Sequence, residues 1–140
     1  MATIREMSFI MRIITSLIIA IIASTSESNA EEQWKEYYED SSSTYFYDTE
    51  TLHHPYKDNQ NIIAVWTKTI PSRYITHNRE RIGYLSDLIY INCEKNKYRR
   101  TEMLIQSHSG EIINRQKGIK TYYTIDPESE AEALFQKVCP

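Results

Sequence analysis

Ile62-Ile63-Ala64-Val65-Trp66-Thr67-Lys68-Thr69-Ile70 decides the fold of this chain. β-branched and aromatic residues dominate the stretch, and Pro71 stops it. In its first half apolar residues occupy consecutive positions and so point to both faces, the pattern of a central strand covered on both sides. Such a strand needs partners on either edge, and the sequence supplies them. Upstream, residues 34–39 (Trp34-Lys35-Glu36-Tyr37-Tyr38-Glu39) and Thr44-Tyr45-Phe46-Tyr47 flank the serines at 41–43, which reads as a hairpin. Between that hairpin and the central strand, Asp48 can cap a short helical turn over residues 48–52.

Downstream, residues 72–87 are polar and mixed and read as a loop. Leu88-Ile89-Tyr90-Ile91-Asn92-Cys93 resumes β character, with Ile89, Ile91 and Cys93 on one face. Residues 94–97 turn the chain, and residues 98–106 return as a strand with Thr101, Met103 and Ile105 on one side. Residues 107–110 form another turn, residues 111–113 a short strand, and residues 121–125 a last edge strand. The chain then switches period. Asp126 is placed to act as N-cap, Pro127 suits the first helical position, and Glu128 and Glu130 complement the positive end of a helix. Ala131, Leu134, Phe135 and Val138 recur at helical spacing, a stripe that only the sheet can cover. The expected architecture is α+β: an antiparallel sheet with one C-terminal α-helix packed on one face, in a single domain over residues 31–140.

The first thirty residues carry an address. Arg5 and Arg12 precede an apolar run over residues 13–23, a polar stretch follows, and Ser28 and Ala30 are small residues at the spacing of a cleavage site. This is the layout of a signal peptide over residues 1–30. The alternative is a retained anchor, but eleven helical residues rise only about 16 Å against a hydrocarbon core of roughly 30 Å. Two cysteines, Cys93 and Cys139, both lie beyond the leader. An even pair in an oxidising compartment reads as one disulfide, which fastens the helix to the strand ending at Cys93. Catalytic or metal-binding thiols need a close partner, and no CxxC or near Cys/His pair exists.

The net charge of −3 argues against nucleic acid or an anionic membrane as partner, since both call for a basic footprint. Chemistry has little to stand on. His53-His54 is the most tempting pair, with Glu50 and Asp58 nearby, but neighbours on extended backbone diverge, and no HExxH motif or dense acidic loop accompanies them. His77 and His108 stand alone. No GxSxG turn occurs, and three glycines provide no phosphate-cradling loop. The residues therefore point to no enzyme, no cofactor and no metal site. Tyrosine is the compositional excess: all eleven follow the leader. They can simply cover a half-exposed sheet, or they can form a recognition surface, because tyrosine offers large rigid contact area. Lys95, Lys97, Arg99 and Arg100 form the one basic cluster, either a solvated hairpin or a site for an acidic partner.

A resemblance runs through these pieces in order. Residues 45–52 (Tyr45-Phe46-Tyr47-Asp48-Thr49-Glu50-Thr51-Leu52) and Ile63-Ala64-Val65-Trp66-Thr67-Lys68 are similar to the opening of the bacterial surface-adhesin protein E domain. Tyr84-Leu85-Ser86, Ile91-Asn92-Cys93, Lys97-Tyr98-Arg99, Gly110 and Ile125-Asp126-Pro127-Glu128-Ser129, with Leu134 and Cys139, continue the match over most of residues 33–140. The resemblance implies an exported protein with an antiparallel sheet, a C-terminal helix and a disulfide of this kind. It also implies binding to host matrix or envelope proteins. The matching residues are framework, so it carries over no binding site. One departure stands out: the founding adhesin is a lipoprotein whose leader ends in a lipid-bearing cysteine, whereas no cysteine here precedes Cys93. The expectation is a non-lipidated domain, periplasmic, secreted or at the cell surface. Three readings stand: an exported binding module for a protein partner, a periplasmic protein holding a small ligand, a metal or haem, through His and Tyr side chains, or a periplasmic stress or envelope component.

Overall fold

β3 (Ile62–Pro71) occupies the middle of the sheet, and its first four residues are all buried. The computed structural model describes residues 33–140, so the predicted leader over residues 1–30 lies outside the described residues. On one edge β3 pairs with β2 (Ser43–Asp48), which pairs with β1 (Trp34–Glu39). On the other it pairs with β6 (Tyr84–Asn92), followed by β7 (Lys97–Gln106) and β8 (Ile112–Lys117). Every pairing is antiparallel. β9 (Tyr123–Thr124) joins β7 at Lys97 and Tyr98, on the edge that β8 uses from Glu102 onward. The expected strands are present, and the serine hairpin is held by Asp40, whose Oδ1 accepts from the amides of Ser42 (2.7 Å) and Ser43 (2.9 Å).

Residues 72–87 depart from the expected loop. β4 (Thr76–His77) and β5 (Glu80–Arg81) form a small separate hairpin, and β6 starts at Tyr84. The polar start of β6 hides its strand character because its buried polar groups find partners in the sheet. Ser86, for example, donates from its hydroxyl to Gln106 Oε1 at 2.7 Å. The expected helical turn at 48–52 is a non-helical turn, in which Asp48 Oδ1 accepts from the Glu50 amide and Oδ2 from the Gln33 side chain.

β7 contains a bulge: Leu88 opposes Glu102 and Ile89 opposes Arg100, so Thr101 has no opposite number. Thr101 therefore leaves the alternation expected of it. Arg100, Met103 and Ile105 instead line up with Ile89, Asp87 and Leu85. Gly118 passes directly over this bulge, where a Cβ would fall 1.9 Å from the Arg100 carbonyl oxygen.

The core lies between one sheet face and α1 (Glu130–Val138): Ile63, Val65, Ile89 and Ile91 meet Leu134 and Val138, with Ile125 closing the side. Ala131 and Phe135 pack on its rim, so the whole predicted stripe is used. The cap differs from expectation. Ser129 is the N-cap, its hydroxyl accepting from the Glu132 amide, and Glu132 reaches back to the Glu128 amide at 2.7 Å. Glu128 has φ +60°, left-handed backbone that no right-handed helix can include, so Asp126 cannot begin one. Cys93 and Cys139 are bonded, with Cα atoms 5.7 Å apart, joining the end of α1 to the end of β6. Among the described residues no helix is long and apolar enough to cross a membrane.

Candidate functional site

Alternation along β3, β6 and β7 divides the chemistry of this protein between two faces. On the face away from α1, two cations sit on aromatic rings. Lys68 Nζ lies 4.5 Å from the Trp34 ring centre, 5.5 Å from Phe46 and 5.9 Å from Tyr84. Phe46 is its cross-strand partner on β2, while Trp34 and Tyr84 come from β1 and β6. Burial pulls the Lys68 ammonium below its ordinary value, partly offset by the charge of Asp48.

The second cation is Arg99. Its guanidinium lies 5.2 Å from the Tyr90 ring and 5.0 Å from that of Tyr122. It donates to Tyr56 Oη at 2.9 Å and to the Lys120 carbonyl at 3.3 Å. Tyr56 also meets Tyr90 edge-on, so one arginine ties the loop after β2 and the segment after β8 to the sheet. Of the predicted basic cluster, Lys95 is exposed in the β6–β7 turn and Lys97 is exposed at the start of β7, on the same face as Arg99. Arg100 is on the other face. The structure therefore brings Lys97 and Arg99 to one side of the sheet and removes Arg100 from them.

Arg100 lines a cleft of about 270 Å³ on the helix side, beside the first turn of α1. Asp87 stands in its wall with only 5% of its surface exposed. Arg100 Nε forms an ion pair with Asp87 Oδ1 at 2.8 Å, so the buried acid has its countercharge on the neighbouring strand. Glu130 enters from α1, Tyr37 from β1, Thr67 from β3 and Met103 from β7. Burial drives the Asp87 carboxyl up to about 6; Arg100 opposes the shift and Glu130 adds to it. The Tyr37 hydroxyl is also pushed well up, first by burial and then by Glu130 and Asp87. A concave site with apolar walls, a few inward polar groups and a perturbed acid is how binding sites are built.

Sequence reasoning passed over Asp87, Glu130, Tyr37 and Lys68. A signal for Asp87 was present: it is the acid at the parity of Ile89 and Ile91, which marks an inward position in a strand. Nothing local could place Glu130 opposite it, because that meeting depends on where α1 docks.

The histidine pair is held by backbone. His53 bridges Ala64 and its Nδ1 lies 2.6 Å from the Thr51 carbonyl, while His54 Nδ1 lies 3.3 Å from the Ile62 carbonyl. His77 approaches the Asn114 side chain at 3.4 Å, and His108 is exposed in the β7–β8 turn. No group of three or more metal-ligating side chains converges among the described residues.

No curated protein matches this chain. A family model does, described as surface-adhesin protein E, over residues 34–140, which takes in every strand among the described residues, both cysteines and α1. With its sheet, docked helix and disulfide all inside that match, the chain belongs to the surface-adhesin protein E family.

Proposed function

We propose that this protein is a non-enzymatic, exported binding module that holds a protein partner on its helix-free sheet face. The observation that carries the reading is the pair of cations seated on aromatic rings there, Lys68 and Arg99, the second two residues along β7 from the exposed Lys97 on the same face. Aromatic side chains and arginine are the residue types that dominate protein–protein recognition. Their fixed packing means little side-chain freedom is lost on binding. The family's adhesin character supports an outward-facing role and a protein as partner. The basic rim selects for an acidic surface on that partner.

Lys95 and Lys97 are the residues to vary, because both are exposed and neither holds the fold. Charge reversal at the two positions together should abolish capture of the partner from envelope or host-matrix extracts and leave the melting temperature unchanged. Fractionation with an antibody, combined with protease treatment of intact cells, checks the location. Protein confined to the cytoplasm, or capture that survives the double reversal, counts against the proposal.

A further inference from the structure

We propose that the free edge of β8 is a docking site for an extended acidic strand of a protein partner, added antiparallel to the sheet with carboxylates opposite Arg115 and Lys117. The inference rests on the reading that the partner is a protein, and adds where and in what conformation that partner is held.

β8 ends the sheet: β7 pairs with one side of it, and among the described residues no strand pairs with the other. An antiparallel ladder alternates residues whose backbone groups point to the neighbour with residues whose groups point away. Just past the Glu102–Lys117 pair, the Gly118 amide donates to the Thr101 carbonyl at 3.0 Å. By that alternation Gln116 and Asn114 also turn their backbone groups to β7, and those of Arg115 and Lys117 point to the open edge. Free N–H and C=O groups along an edge are a template for one more strand.

The same two residues carry the charge that selects the strand. Residues two apart share a face, and Arg115 and Lys117 stand beside Leu104 and Glu102 on the helix-free side. Arg115 pairs with Glu102 at 3.1 Å while its side chain stays 61% exposed. Lys117 is exposed and has no ion pair among the described residues. A groove of about 450 Å³ adjoins them, with Arg99, Arg115, Lys117 and Lys120 in its lining against the single acid Glu102. This local excess of positive charge sits in a chain whose net charge is −3. The five donors of Arg115 suffice to hold Glu102 and an incoming carboxylate together.

Charge also decides against a second copy of this chain. Antiparallel self-pairing through the outward groups sets Arg115 against Lys117, or either against itself, and like charges directly opposite are destabilising. A basic edge therefore turns away its own kind and admits an acidic strand. The residues that come to lie opposite Arg115 and Lys117 are two apart in the incoming strand. It therefore carries acids at alternate positions, with β-branched residues between them.

Fluorescence anisotropy with the purified protein and a labelled peptide, Thr-Val-Glu-Val-Glu-Val-Thr-amide, tests the edge. Saturable binding, millimolar or tighter, supports the proposal, and binding should slow amide hydrogen exchange at Arg115 and Lys117. Glutamine in place of both peptide glutamates should weaken binding about tenfold, the scale of two exposed ion pairs. Arg115→Glu combined with Lys117→Glu should weaken it at least as much. N-methylation of both glutamates, which removes the strand's donors and keeps its charge, should abolish binding. Undiminished binding of the N-methylated peptide would reduce the contact to unspecific attraction and overturn the proposal. So would the absence of saturable binding, or a dimer of the protein whose exchange protection falls on β8. Should the double variant fail to fold, the two altered peptides still decide the matter on the parent protein. No peptide binding, with partner capture still lost on reversing Lys95 and Lys97, sinks this inference alone. Peptide binding by a protein whose partner capture survives that reversal supports the edge and sinks only the earlier reading.

Discussion

Arg99 and Arg100 are consecutive in β7 and serve opposite faces of the sheet. Arg99 lies between the rings of Tyr90 and Tyr122, while Arg100 stands 2.8 Å from Asp87 in the cleft beneath α1. One peptide unit thus separates a cation that holds the outer face together from one that balances a buried acid.

The two arginines should respond differently to removal. Arg99→Ala loses two hydrogen bonds and two ring contacts, and should lower unfolding free energy by about 2 kcal/mol with little dependence on pH. Arg100→Ala leaves Asp87 without its countercharge, so its penalty should be larger at neutral pH than at pH about 5, where the acid takes up a proton. Chemical denaturation at the two pH values separates them. Parallel losses would show that Arg100 has no special relation to Asp87.

Asp87 should make the protein less stable as pH rises. Its carboxyl moves from an ordinary 3.8 to about 6 in the folded chain, so between those values the native state binds more protons than the unfolded one. Stability then falls as pH climbs through the window, and the loss is complete above pH about 6. Asp87→Asn should be more stable than the parent at neutral pH by up to about 3 kcal/mol, with the difference closing below pH about 4. Denaturation midpoints across this range provide the check, and an advantage that persists unchanged in acid would contradict the assignment.

The disulfide should hold α1 on the sheet. It closes a loop with a sequence separation of 46, for which the loop-entropy account gives about 4 kcal/mol as an upper figure. Cys139→Ser, or reduction, should lower the melting temperature and expose the α1 amides to hydrogen exchange before those of β3 and β6. Unchanged stability after reduction would remove the bond from its pinning role.

Ser129 should matter as a cap where Asp126 does not. Ser129→Ala removes the acceptor for the Glu132 amide and should cost about 1 kcal/mol, whereas Asp126→Ala should cost much less. Glu128→Gly relieves the left-handed backbone at that position and should stabilise by about 0.5–1 kcal/mol. Thermal unfolding of the three variants ranks them, and equal effects at Ser129 and Asp126 would return the cap to Asp126.

Much of this fold was legible in the chain because it rests on local signals. The consecutive apolar residues of 62–65 marked the central strand, the 131–134–135–138 stripe marked the helix, and the paired cysteines marked the staple. Each depends on periodicity or turn chemistry within a few residues, which the sequence by itself determines. What only the tertiary structure decided is which polar residues meet. The bulge at Thr101 set Arg100 against Asp87, the docking of α1 brought Glu130 to the same cleft, and four strands assembled Lys68 with its rings. Strand alternation sends neighbours such as Arg99 and Arg100 apart, while pairing brings together residues dozens of positions distant. A cluster of charges in sequence is therefore not a cluster in space. The two cysteines mark a stapled sheet; the buried acid that faces the cleft emerges only when that sheet and its helix close on each other.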